Sequence, residues 1–326
     1  MLKHNKSILR WLKLVICLII IIFGLGYCYQ LLINNFSQSQ LHNISFRWDL
    51  LTISIILAAL HFFCINMSWH VLTKIFDCAL PLKLSLPIWS VTFLGRYIPG
   101  KVPYLMGRIM AYQSCGANLG SITIVAILDN LFYIFVGTVV ACFTLIFLHP
   151  LSGFWKIGLL IGVALQSVIM LNPHICRFVL SKIAKIKSLK LDESKYNVTF
   201  NKLLKVFFIY LLSYLPLALG LYLFVRSFAF IPFEHIFFLI GGFAFAIVLG
   251  IIAVLTPSGL GVREGFFAWL LRYFVAPELA AIISIAARIW LTVAELLYLL
   301  ITIIWFMLNY KSLHIFKKIS KKYIKP

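Results

Sequence analysis

The side chains of this sequence that can do chemistry are cations and carboxylates set into apolar runs, and most of them gather at two short polar interruptions. The first is Gly95-Arg96-Tyr97-Ile98-Pro99-Gly100-Lys101, followed by Arg108; the second is Thr256-Pro257-Ser258-Gly259-Leu260-Gly261-Val262-Arg263-Glu264-Gly265. In the first, Pro99 removes a backbone donor and Gly100 permits positive φ, so a helix arriving through Leu94 stops there and leaves free amides. Arg96, Lys101 and Arg108 bracket those amides, and backbone donors plus cations suit a phosphate or other anion. In the second, Pro257, Gly259 and Gly261 break the preceding helix, and a new one beginning at Gly261 or Val262 turns its first amides toward the break. Arg263 and Glu264 are adjacent, so on a helix they diverge by about 100° and at least one points inward. The plainer alternatives are a basic loop for the first motif and an interfacial turn with solvated charges for the second.

Two carboxylates lie deep in apolar runs: Asp129 within 122–147 and Glu295 within 289–307. Each costs about 2.5–3.5 kcal/mol at the centre of a spanning helix unless paired or hydrated. Arg288 precedes Glu295 by two helical turns on nearly the same face. The expectation is a buried network of Arg263, Glu264, Asp129, Arg288 and Glu295, serving either a substrate or the gluing of helices. Asn130, His61 and His70 read as ordinary helix–helix hydrogen bonders. No His-Glu-x-x-His, phosphate-binding loop, metal-spaced aspartate pair or nucleophile elbow occurs, so no catalytic residue, metal or cofactor is expected and the protein is not read as an enzyme. The seven cysteines (17, 28, 64, 78, 115, 142, 176) have no metal or redox spacing and read as packing residues.

The elements that must position these residues are membrane helices. The 326-residue chain is 63% hydrophobic and only 12% charged, with a mean hydropathy of +1.02. A net charge of +20 raises the question of nucleic acid, but the basic residues follow the ends of the apolar segments, which excludes that class. Spans of about 20 apolar residues fall near 11–32, 50–72, 118–148, 155–172, 203–226, 234–256 and 279–309. The basic start before the first span lacks a small-residue cleavage site after it, so that span reads as a retained helix and not a signal peptide. Lys and Arg number four in the N-terminus (Lys3, Lys6, Arg10, Lys13), eight in 173–205 and six from Lys311 onward, which places those regions and both termini in the cytoplasm. Segment 84–117 then enters and leaves on one face as a re-entrant hairpin turning near Pro99-Gly100, while parity leaves open whether 257–278 crosses or pairs with a broken neighbour. The prediction is an all-α polytopic membrane protein of about eight transmembrane helices with one or two re-entrant or broken segments: one membrane domain over 1–310 and a basic tail over 311–326.

Leu94-Gly-Arg-Tyr-Ile-Pro-Gly-Lys101, Pro257-Ser-Gly-Leu-Gly-Val-Arg-Glu264 and a last helix with Arg288 and Glu295 together resemble the transmembrane, flippase-like domain of lysylphosphatidylglycerol synthases. The resemblance covers nearly the whole chain. It implies a bacterial inner-membrane domain that moves a lipid with an anionic or modified headgroup between leaflets, with relatives near polysaccharide and envelope-lipid functions. The sequence ends at Pro326 after a short basic tail, so a stand-alone member without the aminoacyl-transferase domain is expected. Where relatives carry a Glu-Arg pair just before the position of Asp129, Val125 and Ala126 stand here. The leading expectation is a translocase for a phospholipid or isoprenoid-linked lipid. Arg96, Pro99, Gly100, Lys101, Arg108, Pro257, Gly259, Gly261, Arg263 and Glu264 would line its binding cavity, and Asp129, Arg288 and Glu295 would balance charge. Membrane lipids are the expected partners, with an envelope glycosyltransferase or lipid-synthesis enzyme as a further one. The alternatives are a non-transporting accessory protein acting through its basic loop, and an intramembrane lipid-modifying enzyme.

Overall fold

The structure is a computed structural model and describes residues 47–97, 102–148, 153–184, 198–253, 259 and 261–310. The expected helix at 11–32, the turn residues Pro99, Gly100, Lys101 and Pro257, the middle of the basic loop and the tail 311–326 lie outside the described residues.

Within them the chain forms ten α-helices and no strand: α1 (Trp48–Ile75), α2 (Leu82–Phe93), α3 (Val102–Ser114), α4 (Leu119–Leu148), α5 (Gly153–Leu171), α6 (Pro173–Ala184), α7 (Phe200–Arg226), α8 (Ile236–Ile252), α9 (Val262–Leu271) and α10 (Pro277–Tyr310). In hydrocarbon a segment must satisfy its own backbone, so these long runs of Leu, Ile and Phe have no alternative to the helix. Five stretches are long and apolar enough to cross a membrane: Trp48–Ile75, Leu119–Thr144, Phe200–Arg226, Phe233–Ile252 and Pro277–Asn309. The protein is therefore an all-α, multi-pass membrane protein, with five such helices among the described residues.

The connections are short and locally determined. After α1, Asp77 takes a positive φ of 49° and the Cys78 amide reaches back to the Thr73 carbonyl at 3.0 Å. After α3, Gly116 at φ 93° does the same, the Ala117 amide bonding the Tyr112 carbonyl at 3.1 Å. Asn118 then starts α4, its Oδ1 accepting from the Gly120 and Ser121 amides at 2.9 and 3.2 Å. Burial pushes the Cys78 thiol up to about 12, in keeping with a packing role.

Both polar interruptions are hairpins. In the first, α2 and α3 run antiparallel: Ser85 meets the Tyr112 hydroxyl at 2.7 Å, Thr92 meets Arg108 at 3.3 Å, and Gly95 packs on the Tyr104 backbone. At 12 and 13 residues these legs are about 18–20 Å long, shorter than a hydrocarbon core of about 30 Å. In the second, the rings of His235 and Phe274 are 4.9 Å apart near the base, Phe243 and Phe267 4.8 Å apart midway, and Gly250 abuts Arg263 near the turn. The open question of parity is thereby answered: α8 is long enough to span, yet α9 brings the chain back to the end where α8 began. Sequence patterning placed 234–256 as one helix, whereas α8 ends at Ile252.

The long helices frame the hairpins. α1 and α7 form the most extensive pair, antiparallel, with the Arg47 amide donating to the Ser227 carbonyl at 3.1 Å and His61 Nδ1 to the Ser213 carbonyl at 2.8 Å. α4 packs on α8 and α10 packs on α9, α1 and α2. Gly95 needs its missing Cβ, since that atom would lie 2.9 Å from the Tyr104 backbone, which cannot rotate away. Gly95→Ala is expected to lower stability by about 1–3 kcal/mol, read as a lower thermal midpoint in detergent; an unchanged midpoint would show that the hairpin legs can separate freely.

Candidate functional site

Six buried or half-buried charges converge between the hairpins, and they form three separate ion pairs in place of the single network expected from sequence. Arg108 of α3 pairs with Asp129 of α4, Nη1 to Oδ2 at 3.1 Å. Glu264 of α9 pairs with Arg288 of α10. Arg96, in the 3-10 turn Leu94–Tyr97 after α2, donates through Nη2 to Glu295 Oε2 of α10 at 2.5 Å.

Each pair has supports that fix its role. The Arg108 side chain is 0% exposed, and its guanidinium lies 4.5 and 5.0 Å from the Trp69 and Trp89 rings while Nε donates to Thr92. Asp129 also accepts from the Tyr210 hydroxyl of α7. Thus Arg108, expected at the anion, is consumed as a structural cation joining α3 to α4. Glu264 takes its second bond from the Gly261 amide at 2.8 Å, where Gly261 adopts φ 83° at the start of α9. A carboxylate at the third position of a helix stabilises its N-terminal amides, so Glu264 is also a cap and not a free ligand. Ser284 of α10 adds a bond to the Glu264 carbonyl at 2.6 Å. Glu295 accepts a second bond from the Tyr97 hydroxyl at 2.8 Å, and that hydroxyl meets Thr292 at 3.1 Å. Arg288 and Glu295 share the expected face of α10, but one holds the second hairpin and the other the first.

Arg263 is the exception. Glu264 turns to α10, and its neighbour turns to a different face, as about 100° per residue requires. The Arg263 guanidinium lies 4.8 Å from the Phe243 centroid, and its Nη2 is buried without a hydrogen-bond partner among the described residues. Buried donors in folded proteins are nearly always satisfied, so such a group signals a missing acceptor. It faces an internal cavity of about 120 Å³, roomy enough for several waters or a small anion. His61, Arg96, Tyr104, Asn130, Tyr133 and Arg263 supply the polar lining. Arg96 enters already neutralised by Glu295, so the uncompensated charge on the wall is that of Arg263. Tyr104 donates to Asn130 across the α3–α4 contact. The Ser213 carbonyl can only accept, so His61 Nδ1 carries a proton and donates it.

Of the expected site residues, Arg96 and Arg263 line the cavity, whereas Arg108, Glu264, Asp129, Arg288 and Glu295 build its frame. Gly259, at φ 72°, and Gly261 shape the turn beside it, Gly259 lying against Gly250. Pro99, Gly100, Lys101 and Pro257 fall outside the described residues. Sequence reasoning missed Tyr97, Tyr104, Tyr133 and Tyr210. Tyr97 lies within the first motif and was open to inspection, but nothing marks Tyr210 among the apolar residues around it. Val125 and Ala126 are buried apolar packing.

Residues 10–304 match the family model described as the lysylphosphatidylglycerol synthase TM region. No curated protein and no solved structure matches the chain.

Proposed function

The chain belongs to the lysylphosphatidylglycerol synthase transmembrane family, whose membrane domains take part in lipid synthesis or translocation, and from that premise we propose that it moves a lipid with an anionic headgroup between the leaflets of a bacterial inner membrane. The observation that carries the proposal is the Arg263 guanidinium, set in a buried cavity with a donor that no described residue accepts. A phosphate oxygen supplies the acceptor and the charge together. Arg96 takes a second oxygen at the price of sharing with Glu295, while the acyl or isoprenoid chain stays in lipid beside the hairpin tips.

Purified protein reconstituted into vesicles containing a fluorescent anionic phospholipid gives the test. An impermeant quencher should first remove the outer-leaflet signal and then, only in vesicles with protein, the inner-leaflet signal. A second-phase rate equal to that of protein-free vesicles would refute translocation. If the lipid still binds under those conditions, an accessory role in envelope-lipid synthesis takes its place.

A further inference from the structure

The hairpins belong to two copies of one arrangement. α1, the α2–α3 hairpin and α4 recur as α7, the α8–α9 hairpin and α10: a long helix, a hairpin of two shorter helices, and a long helix. The packing follows the correspondence. α4 lies against α7 and α8 while α10 lies against α1 and α2, and α1 and α7 lie against each other. Tyr210 of α7 bonds Asp129 of α4, as Tyr298 of α10 bonds Asn66 of α1. The returning leg of each hairpin is clasped to the long helix that follows it, Arg108 to Asp129 and Glu264 to Arg288, with the signs exchanged.

A long helix, a hairpin and a second long helix cross the bilayer twice and end where they began. The antiparallel α1–α7 pair records directly that the second copy is turned over relative to the first. The two hairpins therefore enter from opposite ends, and Arg96 and Arg263, near the ends of their described legs, line one cavity. Inverted copies around one site allow it to open to either side by exchange of the conformations of the two halves. One bond breaks the correspondence. Arg96, at the tip of the first hairpin, crosses into the other copy to reach Glu295, with Tyr97 and Thr292 in support. Among the described residues no ion pair joins the second hairpin to α4, and Arg263 stands at that place.

We infer that the two hairpins are opposed gates over one anion site, and that Arg96–Glu295 with Tyr97 is the latch holding the first gate shut in this conformation. The gating rests on the anion site proposed above, but its test needs no lipid transport. A cysteine replaces Leu217 of α7, a cavity-lining residue on a framing helix, in a chain whose seven native cysteines are changed to alanine. In vesicles sorted by orientation, an impermeant maleimide is applied from one end at a time. Glu295→Gln should raise labelling from the end that holds the base of the first hairpin roughly tenfold, the scale of a modest two-state bias, and leave the other end unchanged. Tyr97→Phe, which keeps every ion pair, should act in the same direction with a smaller rise, and decides the matter if Glu295→Gln does not fold. An equal rise from both ends, or no rise in a folded variant, overturns the gate assignment. One-ended labelling in a protein that flips no lipid would keep the gates and remove the translocase reading.

Discussion

Arg108→Met should leave little folded protein, with a cost of roughly 3–5 kcal/mol. Removing one partner of a buried ion pair strands the other charge, and that penalty exceeds the worth of the pair itself. Here Arg108 is fully buried between two tryptophans and is the cation paired with Asp129, which among the described residues would retain the Tyr210 hydroxyl alone. Methionine fills the aliphatic space but cannot answer the carboxylate. The double change Arg108→Met with Asp129→Leu removes both charges and should recover most of the loss, since an apolar replacement of a buried pair is often neutral. Thermal unfolding in detergent, followed by tryptophan fluorescence, measures both. If the single variant is as stable as the parent, Asp129 has another counter-charge and the clasp between α3 and α4 is misassigned.

Arg263→Ala should do the reverse, leaving the fold intact and removing function. The guanidinium is in no ion pair among the described residues, and its ring contact with Phe243 contributes on the order of 0.5–2 kcal/mol. If the side chain binds a phosphate, loss of a hydrogen bond to a charged group costs about 1.5–3 kcal/mol, a fall of roughly 10–150-fold in the flipping rate at low lipid concentration. Arg263→Lys should keep part of the rate, because the ammonium supplies charge without the planar fork. The measurement pairs the initial rate in vesicles with the thermal midpoint of the same preparation. An undiminished rate at normal abundance would remove Arg263 from the site.

Much of this architecture can be read from residue order, and the parts that cannot have a common cause. Apolar runs of 20 or more define α1, α4, α7 and α10 because length and hydropathy decide a spanning helix without reference to its neighbours. The first hairpin follows from charge parity and the Pro99-Gly100 pair, and the divergence of Arg263 from Glu264 follows from helical pitch alone. The second hairpin does not follow, because α8 is long enough to cross and only its packing against α9 shows that it turns back. Pairing was hidden for the same reason. Five intramembrane charges in a list admit many pairings, and which carboxylate Arg108 meets depends on the tilt and rotation of α3 and α4, set by side chains such as Trp69 and Trp89 far away in sequence. Arg96, Arg108 and Arg263 look alike as intramembrane cations, yet Arg96 is a latch, Arg108 a strut and, of the three, Arg263 alone is in no ion pair among the described residues.

The sequence separations of the three ion pairs also set an order of assembly. Arg108 and Asp129 are 21 residues apart, Glu264 and Arg288 are 24 apart, and Arg96 and Glu295 are 199 apart. Each local pair can close as soon as the next helix leaves the ribosome, whereas Arg96 waits through the synthesis of the seven helices α3 to α9 before the helix that carries its carboxylate begins. During that interval the amino-terminal half holds an unanswered cation at membrane depth, which water, lipid phosphate or an insertion factor must shield. Joining of the halves is then a late event, reported by formation of the Arg96–Glu295 pair, and a chain truncated before α10 should expose Arg96 for as long as it lasts.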